Sequence, residues 1–264
     1  MKHIRTIINK EWAEVFKNRW VIATMTLMPL LFTAMPLVML ATTGSATGTP
    51  GGAEMSGLPG DLSASCPGMN AGECIQVYVL NQFMLLFMLL PLMIPTTIAA
   101  YSIVGEKTTR SLEPLLATPI TTVELLAGKG LAAVIPGILI SYGAFGIFVL
   151  GCLLLGLTPA VMGYILSPTW LLGILALGPL LSVISAIFAI YISSRVSDPR
   201  VAEQLSGMVI MPLLMVMFAV MAGKLVLNIN FMLIAILVCA IAAVGMLYLG
   251  TLIFDRENIL TKWK

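Results

Sequence analysis

Charged residues are scarce in this sequence. Lys and Arg number 14 and Asp and Glu number 12, so only 10% of the 264 residues are charged, whereas about a quarter are charged in soluble domains. The net charge of +2 is too small to indicate nucleic-acid binding. The one histidine, His3, stands near the N-terminus. The sequence therefore lacks both the H-E-x-x-H pair of a metalloprotease and a histidine placed for Ser-His catalysis.

A phosphate-binding loop is also missing. The sequence has no G-x-x-x-x-G-K-[ST], the motif whose amides hold nucleotide phosphates, and Ala127-Gly128-Lys129-Gly130 lacks its first glycine and its Ser or Thr. We therefore predict that the chain is not an enzyme and does not hydrolyse ATP itself. Ion-coupled carriers usually hold ionisable residues inside their spans. Here Lys129 and Lys224 lie near predicted helix ends and little else is ionisable, which disfavours a self-energised carrier.

Apolar residues make up 59% of the chain and come in long runs. Runs of roughly 20 residues cross a hydrocarbon core of about 30 Å as helices, and these runs are apolar on every face, unlike barrel strands. We predict an all-α polytopic membrane protein with a single transmembrane domain over residues 1–264. Its six predicted transmembrane helices are 20–41, 77–104, 125–155, 170–192, 205–223 and 231–254.

The N-terminal residues 1–19 are amphipathic. Ile4, Ile8 and Trp12 recur at helical spacing and most basic residues lie elsewhere, which predicts a helix in the membrane interface. The alternative is a polar tail before the first span.

Residues 42–76 are rich in Gly, Ser and Pro and contain no Lys or Arg, which predicts an extracytoplasmic loop. Cys66 and Cys74 lie in this loop, where an oxidising exterior permits a disulfide. The alternative is two free thiols. Cys152 and Cys239 lie in apolar runs and are expected to be packing residues.

The positive charges predict the orientation. With six spans, every Lys and Arg except Lys224 falls on one side. Because basic flanking residues favour the cytoplasm, both termini and the loops around 103–129 and 193–204 are predicted to be cytoplasmic.

The stretch 103–129 contains the signals of a helix end, a short surface helix and a new helix start. The helix of the preceding span can continue to about Thr109, because Glu106 and Arg110 are one turn apart, where opposite charges support a helix. Thr121 and Glu124 form a Thr-x-x-Glu capping box before the next apolar run. Between them, residues 112–118 are predicted to form a short helix that Ser111 caps and Thr118-Pro119 ends. Glu113 gives this helix an acidic first turn, and its apolar face is formed by Leu112, Leu115 and Leu116.

A second charged interval, 193–204, contains Asp198-Pro199, a cap followed by a proline at the first helical position. An ordinary connecting loop is the alternative for both intervals. The residue order, however, closely resembles the two cytoplasmic loops of ABC-2-type transporter permeases, the transmembrane subunits of bacterial or archaeal ABC exporters. The resemblance is carried in the first loop by Gly105-Glu106-Lys107, Ser111 through Pro119, Glu124-Leu125-Leu126 and Gly128-Lys129. In the second loop it is carried by Ser194-Arg195, Asp198-Pro199-Arg200 and Gln204 through Gly207. Arg110 stands where that family typically has glycine.

The resemblance implies a function. Such permeases pair with a second permease copy or a related permease, and two separate ATP-binding subunits, which hold ATP and Mg, dock beneath them. No cofactor is expected in this chain. Most members export lipids, glycans, drugs or peptides through the plasma membrane, in contact with its lipids. The residues that would couple the chain to the ATPase are Glu106, Lys107, Arg110, Ser111, Leu112, Glu113, Leu115, Leu116, Thr118, Pro119, Arg195, Asp198, Pro199 and Arg200. The alternatives are a membrane assembly or anchoring subunit and a secondary carrier.

Overall fold

The computed structural model describes residues 2–17, 19–46, 70–108, 121–225 and 227–253. Regular structure in these ranges is helical throughout, which confirms the predicted all-α class. A π-helical turn, Gly173–Leu177, joins the sixth helix to the seventh, and a 3₁₀ turn, Gly207–Ile210, joins the eighth to the ninth. The helices are α1 (Lys2–Lys17), α2 (Arg19–Ala46), α3 (Ala71–Thr108), α4 (Thr122–Leu154), α5 (Pro159–Ile165), α6 (Pro168–Leu172), α7 (Gly178–Arg195), α8 (Pro199–Ser206), α9 (Met211–Met221) and α10 (Ile229–Ile253).

Six stretches of the described chain are long and apolar enough to cross a membrane, the number predicted from the sequence. We call them spans 1 to 6. In chain order they are Val21–Thr43, Gly72–Glu106, Val123–Leu154, Pro159–Arg195, Pro199–Met221 and Ile229–Tyr248.

The second span is longer than the predicted 77–104. Its helix, α3, begins at Ala71 because Glu73 accepts a hydrogen bond from the Asn70 amide at 2.9 Å, which satisfies one of the exposed donors of a first turn. At its other end α3 continues past 104 to Thr108, which confirms the predicted continuation of this helix to about Thr109. The helix therefore takes up part of the segment expected to be an extracytoplasmic loop, and part of the charged stretch that follows the span.

The segment 156–169, which separates the predicted spans 125–155 and 170–192 and contains no charged residue, contains α5 and the start of α6. Gly156, at φ 65°, ends α4 with the bonds Gly156 N to Leu153 O and Leu157 N to Cys152 O, which form a Schellman motif. Pro159 and Pro168 then each begin a helix at a first-turn position, where a missing amide costs nothing. The fourth span is consequently built from three helices and a π-helical turn.

The second span lies at the centre of the bundle. Of the 18 most apolar consecutive residues of this span, 83% are buried, whereas the corresponding fraction is 11% in each of spans 5 and 6. The α3 helix packs against α2, α4, α7 and α8. The faces of spans 5 and 6 are consequently left for lipid or for another protein.

An aromatic cluster holds α3, α4 and α6 together. Trp170 is fully buried. Its ring lies 6.1 Å from that of Phe148 and 6.0 Å from that of Phe145, both nearly parallel to it, and 6.1 Å from the tilted ring of Phe87. Such pairs contribute about 0.5–1.5 kcal/mol each beyond their buried area.

Two prolines interrupt the hydrogen bonding of α3. Pro95 has no amide to bond to the Pro91 carbonyl. The hydroxyl of Ser185 in α7 lies 3.4 Å from that oxygen and shares its one hydrogen between it and the Ser182 carbonyl at 3.1 Å. A neighbouring helix thus satisfies the acceptor that the proline leaves open, as buried backbone in a membrane protein requires.

Candidate functional site

Most of the predicted first-loop residues lie outside the described part of the chain. These are Arg110, Ser111, Leu112, Glu113, Leu115, Leu116, Thr118 and Pro119. Lys107 lies in the last turn of α3, and its side chain is also outside the described part. The structure does describe the two helices that this loop connects, because α3 ends at Thr108 and α4 begins at Thr122.

The predicted capping box at the start of α4 is confirmed. Thr121 is extended, at φ −74° and ψ 151°, and its hydroxyl accepts the Glu124 amide at 3.2 Å. The Glu124 carboxylate accepts the Thr121 amide at 3.1 Å in return. The reciprocal bonds set the direction in which the chain enters α4 from the first loop.

The predicted cap of the second loop is confirmed as well. Asp198 Oδ1 accepts the Arg200 amide at 2.8 Å, and Pro199 occupies the first turn of α8. Arg195, Asp198 and Arg200 are exposed, with the Arg195 guanidinium 5.4 Å from the centre of the Tyr191 ring. Because Ala202 and Ser206 on the other side of α8 are buried, this short helix is fixed to the bundle and presents a charged face outward.

Glu106, one of the residues that the resemblance assigns to ATPase coupling, is only 5% exposed. Its Oε2 lies 3.1 Å from the ammonium of Lys129 in α4, and its Oε1 accepts from Lys10 of α1 at 2.6 Å. The carboxylate is thus engaged by its own chain and does not present itself for direct contact with a partner.

Lys129 is the centre of a buried polar group that we call the Lys129 cluster: Lys129, Glu11, Ser102 and Glu106. The Lys129 ammonium donates to Glu11 Oε1 at 2.7 Å, to the Ser102 carbonyl at 2.8 Å and to Ser102 Oγ at 2.9 Å. These bonds use all three of its hydrogens, so the contact with Glu106 Oε2 is electrostatic. Ser102 Oγ in turn donates to Glu11 Oε2 at 3.3 Å. The cluster joins α1, α3 and α4.

Lys10 completes the charge balance of the cluster at its rim. With Lys10 included, two ammonium groups face the two carboxylates of Glu11 and Glu106. Partial burial lowers the pKa of Lys10, but the hydrogen bond to Glu106 and the surrounding carboxylates outweigh it, so this pKa is above its ordinary value. The stabilisation that the charged Lys10 contributes is therefore fully present at neutral pH, and it is lost only as the pH rises through the raised value.

Close packing also holds α1 against α4. Ile7 is 6% exposed and lies over Gly128, where an added Cβ would come 2.9 Å from Ile7 Cγ2. The Trp12 indole donates to the Ala132 carbonyl at 2.9 Å. The predicted amphipathic helix is therefore present, and its apolar face packs against the protein itself.

A second link joins α3 to α7 at the same level. Ser193 Oγ accepts from the amides of Val104 at 3.0 Å and Ile103 at 3.3 Å, and it donates to the Ala100 carbonyl at 2.8 Å. One hydroxyl thus bonds to both the Val104 amide and the Ala100 carbonyl, which are one helical turn apart in α3. Residues 100–106 of α3 therefore contact α1 and α4 through the Lys129 cluster and α7 through Ser193.

Sequence reasoning missed Glu11, Ser102 and Ser193. It placed Lys129 near a helix start and among the residues that resemble the family's first loop, but it did not predict that this lysine is buried. One signal was available, because Glu11 follows Ile4 and Ile7 at helical spacing and so interrupts the apolar side of α1. An acid on that side predicts a buried cation, and Lys129 is a lone lysine well inside an apolar run.

Of the predicted disulfide pair, Cys74 is disulfide-bonded, whereas Cys152 and Cys239 are free thiols. Cys66 lies outside the described residues, so its pairing with Cys74 stays a prediction.

Comparison with known families bears on the whole chain. Residues 5–254 match the family described as ABC-2 family transporter protein. The chain belongs to the ABC-2 transporter family. A search of curated proteins found no match. The protein is accordingly a multi-pass permease subunit of an ABC transporter, a kind of subunit that works with an ATP-binding partner.

Proposed function

We propose that this permease is the membrane half of an ATP-driven exporter. Two copies, or one copy and a related permease, form the substrate pathway in the plasma membrane with both termini in the cytoplasm. Two ATP-binding subunits, which hold ATP and Mg, dock on the cytoplasmic ends of the spans. Residues 112–118 form the main coupling helix in this proposal, and Glu106, Glu113 and the loop around Asp198 support it.

The observation that carries the proposal is the position of the two loops relative to each other. Ser193, just before the second loop, bonds to Ile103 and Val104, just before the first loop. The capped helix α8 also packs against both α3 and α7. The two segments that resemble the cytoplasmic loops of the family thus start from adjacent places at one end of the bundle, where a single docked subunit reaches both.

The charge distribution supports the orientation. Lys10, Lys129 and Arg195 lie on helices that meet at this end. Lys224 is the exception, because it follows the end of α9 at the opposite end of the bundle. Since basic residues favour the cytoplasmic side, the end that carries the two loops is the cytoplasmic end.

The exposed apolar surfaces support a dimer. Met215 and Phe218 of α9, and Ile241 and Val244 of α10, each expose more than half of their side-chain surface. Pairing with a second permease would cover part of this surface, and lipid would cover the rest.

The test of the proposal is Leu115→Asp with Leu116→Asp, combined with co-purification of the ATP-binding subunit. A carboxylate placed in an apolar docking contact costs several kcal/mol, so we expect the purified permease to lose its ATPase. Insertion should be unchanged, because the substitutions lie outside the spans.

The matched control is Val123→Asp. This side chain is 58% exposed at the start of α4 and lies outside the proposed coupling helix, so this variant should keep the ATPase. Retention of the ATPase by the double variant, with permease-stimulated ATP hydrolysis at the parental rate, would show that residues 112–118 are not the coupling element. A permease that never brings down an ATPase would favour the anchoring subunit or the secondary carrier.

A further inference from the structure

Lys129 of α4 is 2% exposed and contacts two other helices at once. It contacts its partners through atoms of Glu11 in α1, Ser102 in α3 and Glu106 in α3. The bonds to Glu11 and Ser102 are directional, because they use all three hydrogens of the ammonium, whereas the contact with Glu106 is electrostatic. The cluster therefore fixes an angle and a distance between the helices, in addition to holding them together.

Burial makes these contacts depend on one another. A buried ion is stable only when its partner is present, because an unpaired charge keeps its full desolvation cost. If α1 moved away from α4, Lys129 would lose Glu11, and Glu11 would lose both Lys129 and the Ser102 hydroxyl. Apolar contacts such as Ile7 against Gly128 would tolerate a small sliding movement, whereas bonds of 2.7–2.9 Å to one ammonium would not.

The cluster also lies where α3 leaves the bundle. Glu106 is two residues before the end of α3 at Thr108, and it bonds to α1 through Lys10. Any movement of the chain beyond 108 that shifts the last turn of α3 would therefore be applied to α1 and α4 through Glu106 and Lys129.

We propose that Lys129 is a positioning residue that locks α1 to α3 and α4, so that α1 moves with these spans as one body during the ATPase cycle. The proposal rests on the proposed function in one respect, namely that an ATP-binding subunit acts on the segment after α3. The functional consequence is that α1 carries motion between the first loop and the membrane interface.

The experiment measures the distance between spin labels at Ala13→Cys in α1 and Leu139→Cys in α4, both exposed positions. The background carries Cys152→Ala and Cys239→Ala, and the sample is the permease with its ATP-binding subunit. Distances are recorded without nucleotide and after trapping with ATP and vanadate. We expect the distance between the two labels within one copy to be narrow and the same in both states.

Two variants test the role of the charge. Lys129→Met leaves Glu11 without its cation, and we expect a broad distance distribution with roughly tenfold less permease-stimulated ATP hydrolysis. Lys129→Met with Glu11→Met removes the pair together. This double variant should fold with normal thermal stability, because paired apolar replacements of buried ions are well tolerated, yet its distance distribution should stay broad. It therefore decides the question even if the single variant fails to fold.

The matched control is Glu14→Gln, an exposed acid on α1 whose carboxylate lies 3.8 Å from Lys10 and outside the cluster. This variant should keep the parental distance between the spin labels and the parental rate of permease-stimulated ATP hydrolysis. The proposal is overturned if the parental distance shifts on trapping, or if the double variant recovers both the narrow distance and the stimulation. If no ATP-binding subunit co-purifies, the proposed function fails, whereas the nucleotide-free distances still report whether Lys129 fixes α1.

Discussion

Ser193 shows how one small side chain can join two membrane helices without an ion pair. It is fully buried in α7, and its hydroxyl bonds to three backbone groups of α3. Serine is the smallest side chain that can both donate and accept, and the hydroxyl reaches the backbone of α3 only because the two helices are closely packed. Residues 100–104 are thereby held to α7 just before α3 enters the segment that we propose meets the ATPase.

We expect Ser193→Ala to destabilise the permease by about 1–3 kcal/mol, because buried backbone groups of α3 lose a hydrogen-bonding partner. The measurement is the thermal unfolding midpoint in detergent. Ser141→Ala is the matched control, since Ser141 is also buried but donates to the Gly137 carbonyl of its own helix at 2.7 Å. Equal midpoints for the two variants would contradict a special role for Ser193.

At the scale of the element, α1 is held by shape as well as by charge. Gly128 lets Ile7 approach α4, and a Cβ at this glycine would lie 2.9 Å from Ile7 Cγ2 and 3.0 Å from Ile7 Cβ. Because Cβ lies at the base of the side chain, Ile7 cannot relieve the contact by rotation alone. Helix α1 itself would have to shift.

We expect Gly128→Ala to loosen α1, since overpacking costs about 1–3 kcal/mol, which outweighs the roughly 0.5–1 kcal/mol that alanine gains over glycine in a helix. Faster proteolytic cleavage within residues 2–17 would report the loosening. Gly130→Ala is the control, because its nearest neighbour would be Ile190 Cδ1 at an ordinary 3.9 Å. Unchanged cleavage in Gly128→Ala would contradict this account of how α1 is held.

The elements that the sequence predicts well are those determined by neighbouring residues. The caps at Thr121 and Asp198 involve residues two or three positions apart, and the six spans follow from continuous apolar runs. The Lys129 cluster joins residues that are 91 and 118 positions apart in the chain, and no local pattern specifies which acid meets which lysine. The prediction for the fourth span, 170–192, is too short for a different reason. The prolines of the segment 156–169 suggest a connection, but in the structure Pro159 and Pro168 each begin a helix.

At the scale of the whole molecule, charge separates the two ends of the bundle. The Lys129 cluster, the Asp198 cap and the start of α4 lie at one end. At the other end, Gly156 follows the last turn of α4 and Gly223 follows the last turn of α9. Lys224 follows the second of these glycines, where its amide bonds to the Ala219 carbonyl. The burial of Lys129 does not weaken the charge argument for orientation, because the lysine is paired at the end where the other basic residues lie.

The orientation is tested by labelling single cysteines with a membrane-impermeant maleimide, in a chain whose four native cysteines are replaced by alanine. We expect Gly57→Cys to react in intact cells. Thr109→Cys and Ser197→Cys should react only after the membrane is permeabilised, because the first and second loops are placed on the cytoplasmic side by their basic residues. Ser197 is exposed and adjacent to Asp198, so its replacement spares the cap of α8. Reaction of Thr109→Cys and Ser197→Cys in intact cells, with Gly57→Cys protected, would invert the topology, and a cytoplasmic ATPase could then not reach either loop.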